Sequence, residues 1–160
     1  MAQLSDLKMR YRVLIRGYRF SKVDWHPGAI LTKPLNAAKI AIITSAGFYL
    51  PTQPPFEHTI RYNDCSYREI PWGTPVKSLQ IGQTSDAFDH SGIELDRNLA
   101  LPLDRLRELV GLGLVGAATP RHFSMMGSLL ATAGLIQKSG PEIAAKLHED
   151  AVDAVLLVPV

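Results

Sequence analysis

The apolar positions of this chain fall into a few short runs, and each run predicts one element. "AKIAIITSAG" (38–47) is the first clear one: Ile40, Ala41, Ile42 and Ile43 form a continuous apolar strand, closed by Thr44-Ser45-Ala46-Gly47. Continuous apolarity, without alternation, marks a strand covered on both faces. Small residues at a strand's carboxyl end either leave room for a ligand or make a tight turn. Both readings stay open. Residues 49–75 carry five prolines and one glycine and predict a long ordered loop or a short β excursion. "SLQIGQTS" (78–85) alternates weakly and predicts a second strand, and residues 85–98 a polar loop.

"LPLDRLRELVG" (101–111) predicts a helix. Pro102 suits its first turn, Leu103, Leu106, Leu109 and Val110 make one face, and Gly111 or Gly113 ends it. "LGLVGAAT" (112–119) predicts a third strand and residues 120–128 the loop after it. Residues 129–137 are a weaker helix candidate. Ser139 with Glu142 then forms a capping-box pattern for a helix carrying Ile143, Leu147 and Ala151. "DAVLLVPV" (153–160) predicts a buried parallel strand. Strand, loop, strand, helix, strand, helix, strand is the order of βαβ units. The expected fold class is α/β, a mainly parallel sheet with flanking helices in three Rossmann-like layers. Residues 37–160 form the expected domain, and residues 1–36 a basic extension.

Composition changes this picture little. Hydrophobic residues make up 46% and charged residues 20% of 160, ordinary values for a globular chain. A formal charge of +2 is too balanced to argue for nucleic acid. Lys8, Arg10, Arg12, Arg16, Arg19 and Lys22 are the exception, read as a solvated extension or as an arm for an acidic partner. No run approaches the roughly 18 apolar residues of a membrane span. Met1–Lys8 lacks the apolar centre of a secretory signal. The expected compartment is the cytoplasm, with no membrane partner.

Candidate chemistry sits mainly at predicted strand ends. Asp86, Asp89, His90, Glu94 and Asp96 lie close together but show no metal-ligand spacing, so no metal is expected. A His oriented by a carboxylate, or a polar surface loop, are the readings left for that run. His122 and Ser124 directly follow the third predicted strand, where ligands of open α/β sheets are contacted. No G-x-S-x-G elbow surrounds Ser124, which argues against a hydrolase triad. Met125 and Met126 suit core filling. The single cysteine, Cys65, excludes an internal disulfide, and Asp64 beside it favours an inert thiol. A glycine-rich phosphate loop is absent.

Four strings taken together resemble one family: "TSAGFYLPTQPPF" (44–56), "CSYREIP" (65–71), "DHSGIELDRNLALPLDRLRELVGLGLVGAATPRHFSMMG" (89–127) and "EDAVDAVLLVPV" (149–160). They are similar to the selenoprotein B family of glycine, sarcosine and betaine reductases and of D-proline reductase, from about Lys39 to Val160. The resemblance implies reductive cleavage of the carbon–nitrogen bond at the α-carbon of a small amino acid or betaine. It implies electrons from a thioredoxin-like dithiol, and other reductase subunits as partners, one bearing a pyruvoyl group. No cofactor is implied in this chain itself.

The residues that match family strings are Ser45, Gly47, Asp89, His90, Asp96, Asn98, His122 and Ser124. His90 and His122 are the expected catalytic or carboxylate-binding groups; Ser45, Gly47, Asp89, Asp96, Asn98 and Ser124 are the expected substrate-side residues. Asp96 and Asn98 have a structural alternative, tying their loop to the helix at Pro102. His122 and Ser124 are expected to share one cleft with Thr44–Gly47 and His90. The resemblance also places a redox cysteine or selenocysteine, in a C-P-x-C-like motif, directly after "LLVPV". Three expectations follow: a fold incomplete at its C-terminus, apolar surface left exposed there with self-association, and a stop that is either a UGA read as selenocysteine or the end of a silent paralogue. A silent binding or scaffolding protein is the alternative function, and a thiol-independent racemase or isomerase ranks below it.

Overall fold

The computed structural model describes residues 8–17, 29–57, 64–83, 90–129 and 131–160. The chain divides into two compact units, Met1–Ile30 and Leu31–Val160. In the first, α1 (Met9–Gly17) carries Arg16 in its last turn, where a cation meets the negative end of the helix dipole. Its Arg10 and Arg16 are exposed, as are Met9 and Val13.

The second unit is built around β1 (Lys39–Thr44), which pairs in parallel along both edges. Ile40 lies opposite both Ala118 and Ala154, and Thr44 opposite both Ser124 and Val158. Hence β5 (Ala117–Ala118) and β6 (Arg121–Met125) follow one another along one edge of β1, and β7 (Ala154–Val158) takes the other. β3 (Tyr67–Pro71) runs antiparallel outside β6. A separate antiparallel pair joins β2 (Phe48–Tyr49) to β4 (Gln80–Ile81).

Side chains alternate between the two faces of a sheet. Ile40, Ile42 and Ile70 share one core with Leu103 and Leu106 of α3 (Leu103–Gly111). Ile43 and Met125 instead line a space with Ile143, Ala144 and Leu147 of α4 (Gly140–Glu149). The result is an α/β fold with a mostly parallel sheet between helices. Burial of side chains such as Ile42, Ile70, Leu103 and Phe123, each 0% exposed, contributes about 1.5–3 kcal/mol apiece. Across the sheet's lower edge, Arg121 Nε meets Asp150 Oδ2 at 2.7 Å and Lys146 Nζ meets Glu69 Oε1 at 3.0 Å. These pairs bind the end of α4 to β6 and β3.

Several boundaries differ from the pattern-based expectation, each for a physical reason. The third strand was expected over 112–119, but only Ala117–Ala118 is extended. Residues before it finish α3: Gly113 takes a φ of 70°, its N–H bonds Val110 O, and Leu114 N–H bonds Leu109 O. That double return closes the orphan carbonyls of a helix end and leaves Leu112 and Leu114 exposed. The strand lies further on, over 121–125, where a loop was expected, because buried polar side chains at His122 and Ser124 break its apolar run. The 78–85 strand shrinks to Gln80–Ile81 and leaves the main sheet, residues 84–85 lying outside the described ones.

The long 49–75 segment contributes β2's second residue and the whole of β3. Arg68 of β3 holds the proline-rich stretch, donating to Pro54 O at 2.9 Å and Pro55 O at 3.1 Å with Phe56 4.1 Å under its guanidinium. Within 85–98, a short helix α2 (Ser91–Leu95) replaces loop. The Ser139 capping box does not form. Ser139 already has helical backbone, in a π-helical stretch (Leu135–Ser139) running into α4, and its hydroxyl donates to Cys65 O. Ala151 lies beyond α4 at a φ of 51°. The last strand is parallel as expected but is not buried: among the described residues β7 is an edge, with Leu156 47% and Leu157 68% exposed.

Candidate functional site

The carboxyl ends of β1, β6 and β7 meet at one place. Ser45 N–H donates to Val158 O, while its hydroxyl accepts from Val160 N–H at 2.9 Å and donates to Val160 O at 3.3 Å. One side chain thus prolongs the β1–β7 ladder past its backbone end. Gly47 takes a φ of 67°, and a Cβ there would stand 2.7 Å from Met126 Sδ and 3.1 Å from Gln83 N. Gly127 is as tightly held: its Cβ would lie 3.0 Å from both Ser45 O and Val160 O and 3.2 Å from Gln83 Nε2. Both glycines permit close backbone approach. On the α4 side of these ends an apolar groove of about 470 Å³ is lined by residues including Ser45, Met125, Ile143, Leu147 and Leu157.

His122 and Ser124 sit within β6, not in a loop after it, and both are fully buried. Their register with Ile70 and Arg68 puts them on the α3 face. His122 Nδ1 accepts the backbone N–H of Ile42 at 3.0 Å, so the neutral ring carries its proton on Nε2. Burial, and secondly the Arg107 charge, push its pKa down to about 4. The ring is therefore neutral at physiological pH. Trp72 packs against it at 5.5 Å, and Arg107 holds Trp72 in turn, its guanidinium 5.0 Å from that ring and donating to Thr74 O at 2.8 Å. His122 Nε2 and Ser124 Oγ have no hydrogen-bond partner among the described residues.

Asp96 and Asn98 tie their loop to the start of α3. Asp96 Oδ1 accepts from Asn98 N–H at 2.9 Å and from its side-chain amide at 3.0 Å, and these bonds hold the Asp96 carboxyl below its usual pKa. Asn98 also donates to Asp104 Oδ2 at 2.9 Å and accepts Asp104 N–H at 3.0 Å, capping the first turn of α3. Replacing Asn98 with alanine removes that cap and costs about 1–2 kcal/mol. A thermal melt reads the loss, and an unchanged midpoint would show that the tie carries no load. His90 is partly buried at the start of α2, its carbonyl accepting Glu94 N–H. Asp89 lies outside the described residues.

Of the residues singled out in the sequence, the structure therefore gathers Ser45 and Gly47 at the strand ends and sets His122 and Ser124 inside the sheet. Pattern reasoning missed Gln83, which is 4% exposed at those strand ends, and the importance of Gly127. Gly127 ends the H-[FY]-S-x-M-G string and was visible there. Gln83 has no local signal, because only the return of β4 past Gly47 brings it in. Cys65 lies before β3, its sulfur 3.4 Å from Ala131 O, and does not belong to this cluster.

Residues 8–160 match the family model described as glycine/sarcosine/betaine reductase selenoprotein B. The match starts well before Lys39 and so takes in α1, beyond the reach of the four strings. Over 133 residues the chain is 31% identical to the D-proline reductase subunit gamma of Acetoanaerobium sticklandii, covering 83% of this chain and 52% of that protein. It is 25% identical over 138 residues to the sarcosine reductase complex component B subunit beta of Peptoclostridium acidaminophilum, covering 86% of this chain and 31% of that one. The chain thus spans about half the length of the first relative and about a third of the second. No solved structure matches it significantly.

Proposed function

The chain belongs to the glycine/sarcosine/betaine reductase selenoprotein B family, and from that premise we propose that it is the substrate-side part of a cytoplasmic reductase subunit. The reaction assigned to the assembled enzyme is reductive cleavage of the α-carbon–nitrogen bond of a small amino acid or betaine, with electrons from a thioredoxin-like dithiol. The observation that carries this reading is the convergence of three parallel strand ends at Ser45, Gly47, Gly127 and Val160, within a family match that spans them. Open α/β sheets bind their ligands at that end.

In this reading Ser45 holds the chain after β7 in line with β1, and the two glycines keep side chains out of the approach. Asp89 and His90 enter on the family resemblance alone. A pyruvoyl group on a partner subunit would supply a carbonyl for the substrate amine, and no contact to it is assigned to this chain. A catalytically silent binding protein is the second reading.

The test is co-expression of the chain with candidate partner subunits of its own organism, followed by assay of the purified assembly. Loss of glycine, sarcosine, betaine or D-proline that requires a dithiol supports the reductase. Binding of one of them without turnover supports the silent protein. Neither binding nor turnover, from an assembly that forms, overturns both.

A further inference from the structure

β1 and its neighbouring strand do not keep one register. Ile40 faces Ala118, yet Ile43 faces Phe123, so four residues, Thr119 to His122, lie opposite two, Ala41 and Ile42. The extra length is a bulge at Thr119-Pro120. Backbone groups of alternate β1 residues point to alternate edges. Ile40 O takes Thr119 N–H on the β5–β6 edge, while Lys39 O and Ser45 N–H bond the β7 side, to Asp153 N–H and Val158 O. Ile42 N–H therefore points into the bulge, where the ladder carbonyl has been displaced. A buried N–H left there without an acceptor costs about 1–3 kcal/mol. His122 Nδ1 takes it at 3.0 Å.

We infer that His122 is a positioning residue, its Nδ1 standing in for the carbonyl the bulge removes and so fixing where the end of β1, Ser45 to Gly47, seats against β6. Only the functional consequence rests on the proposed reductase reading; the clasp stands on the ladder geometry. Trp72 and Arg107 hold the ring from the α3 side. Among the described residues, charged groups on that face include Arg107, ion-paired to Asp104, and Arg68, one pair along β3 and turned to the carbonyls of Pro54 and Pro55. None of them accepts a proton from the ring. Once seated, the β1 end is secured by Gly47 N–H on Met125 O and by the Ala46–Met126 bridge.

Nitrogen-15 NMR of the wild-type chain tests the clasp without any variant. A ring unprotonated at Nδ1, with hydrogen-bond coupling from that nitrogen to the Ile42 amide, is expected. Asparagine places an oxygen where His122 has Nδ1, so His122→Asn keeps an acceptor and His122→Leu removes it. In His122→Leu the Ile42 and Gly47 amides should exchange about tenfold faster, the worth of one hydrogen bond, with the amides of β7 residues less affected. His122→Asn should restore their protection. A ring protonated at Nδ1, equal behaviour of the two variants, or acceleration spread evenly over the sheet would overturn the inference. Should His122→Leu fail to fold, the wild-type tautomer and the His122→Asn exchange pattern still decide. Amide exchange needs no substrate, so the result stands apart from the outcome of the reductase assay.

Discussion

Gly47→Ala should destabilise the Leu31–Val160 unit by on the order of 2–5 kcal/mol. Two effects add. The φ of 67° is left-handed backbone, which costs a residue bearing a Cβ about 1–2 kcal/mol. The new methyl would also lie 3.1 Å from Gln83 N and 3.3 Å from Gly82 C, both backbone, besides Met126 Sδ at 2.7 Å. The sulfur can turn away; the backbone just after β4 cannot, because Gly82 N–H is bonded to Gly47 O. Forcing it apart adds about 1–3 kcal/mol. Against a usual total of about 5–15 kcal/mol this is a large fraction. Urea unfolding reads it directly, and a loss under about 1 kcal/mol would mean that this turn relaxes freely.

Lowering the pH from about 6.5 to about 4 should remove about 3 kcal/mol of stability through His122 alone. Folded, the ring has a pKa of about 4 against 6.5 for the free side chain. Between those values the unfolded chain binds a proton that the folded chain refuses, so stability rises with pH across the window. It is fully present above 6.5 and lost as pH falls to 4. Protonation would set an N–H against the Ile42 N–H in a site that is 0% exposed. The carboxyls held low by hydrogen bonds and ion pairs, Asp64, Asp96, Asp150 and Asp153, start from 3.8 and lose their contribution below the His122 window. Denaturant melts of wild type and His122→Asn across pH 4–7 separate the two ranges. An equal slope in both proteins would assign the acid loss to another group.

How far the fold could be read depended on whether a segment buries only apolar groups. β1 was legible because Ile40 to Ile43 are covered on both faces and so form an unbroken run. α3 was legible from Leu103 and Leu106 at helical spacing, with Gly113 closing it. β6 was not, since its polar residues are inside: His122 serves the ladder of another strand and Ser124 lies in the sheet. A polar residue read alone signals loop. Leu112 and Leu114 misled in the opposite sense, as apolar residues on an exposed turn.

The candidate site shows the same division. Ser45, Gly47 and the H-[FY]-S-x-M-G string were marked by residue type and motif, and with them the family. The pairing of Ser45 with Val160, 115 positions apart, and the placing of Gln83 came only with the folded chain. The four motif strings, the apolar runs and the α/β order of elements are properties of neighbouring residues, so the sequence by itself determined them. Register, the Thr119-Pro120 bulge, and which face each polar side chain meets depend on contacts between distant strands. In a sheet one residue of slip reverses every side chain, so those features were decided by the tertiary structure.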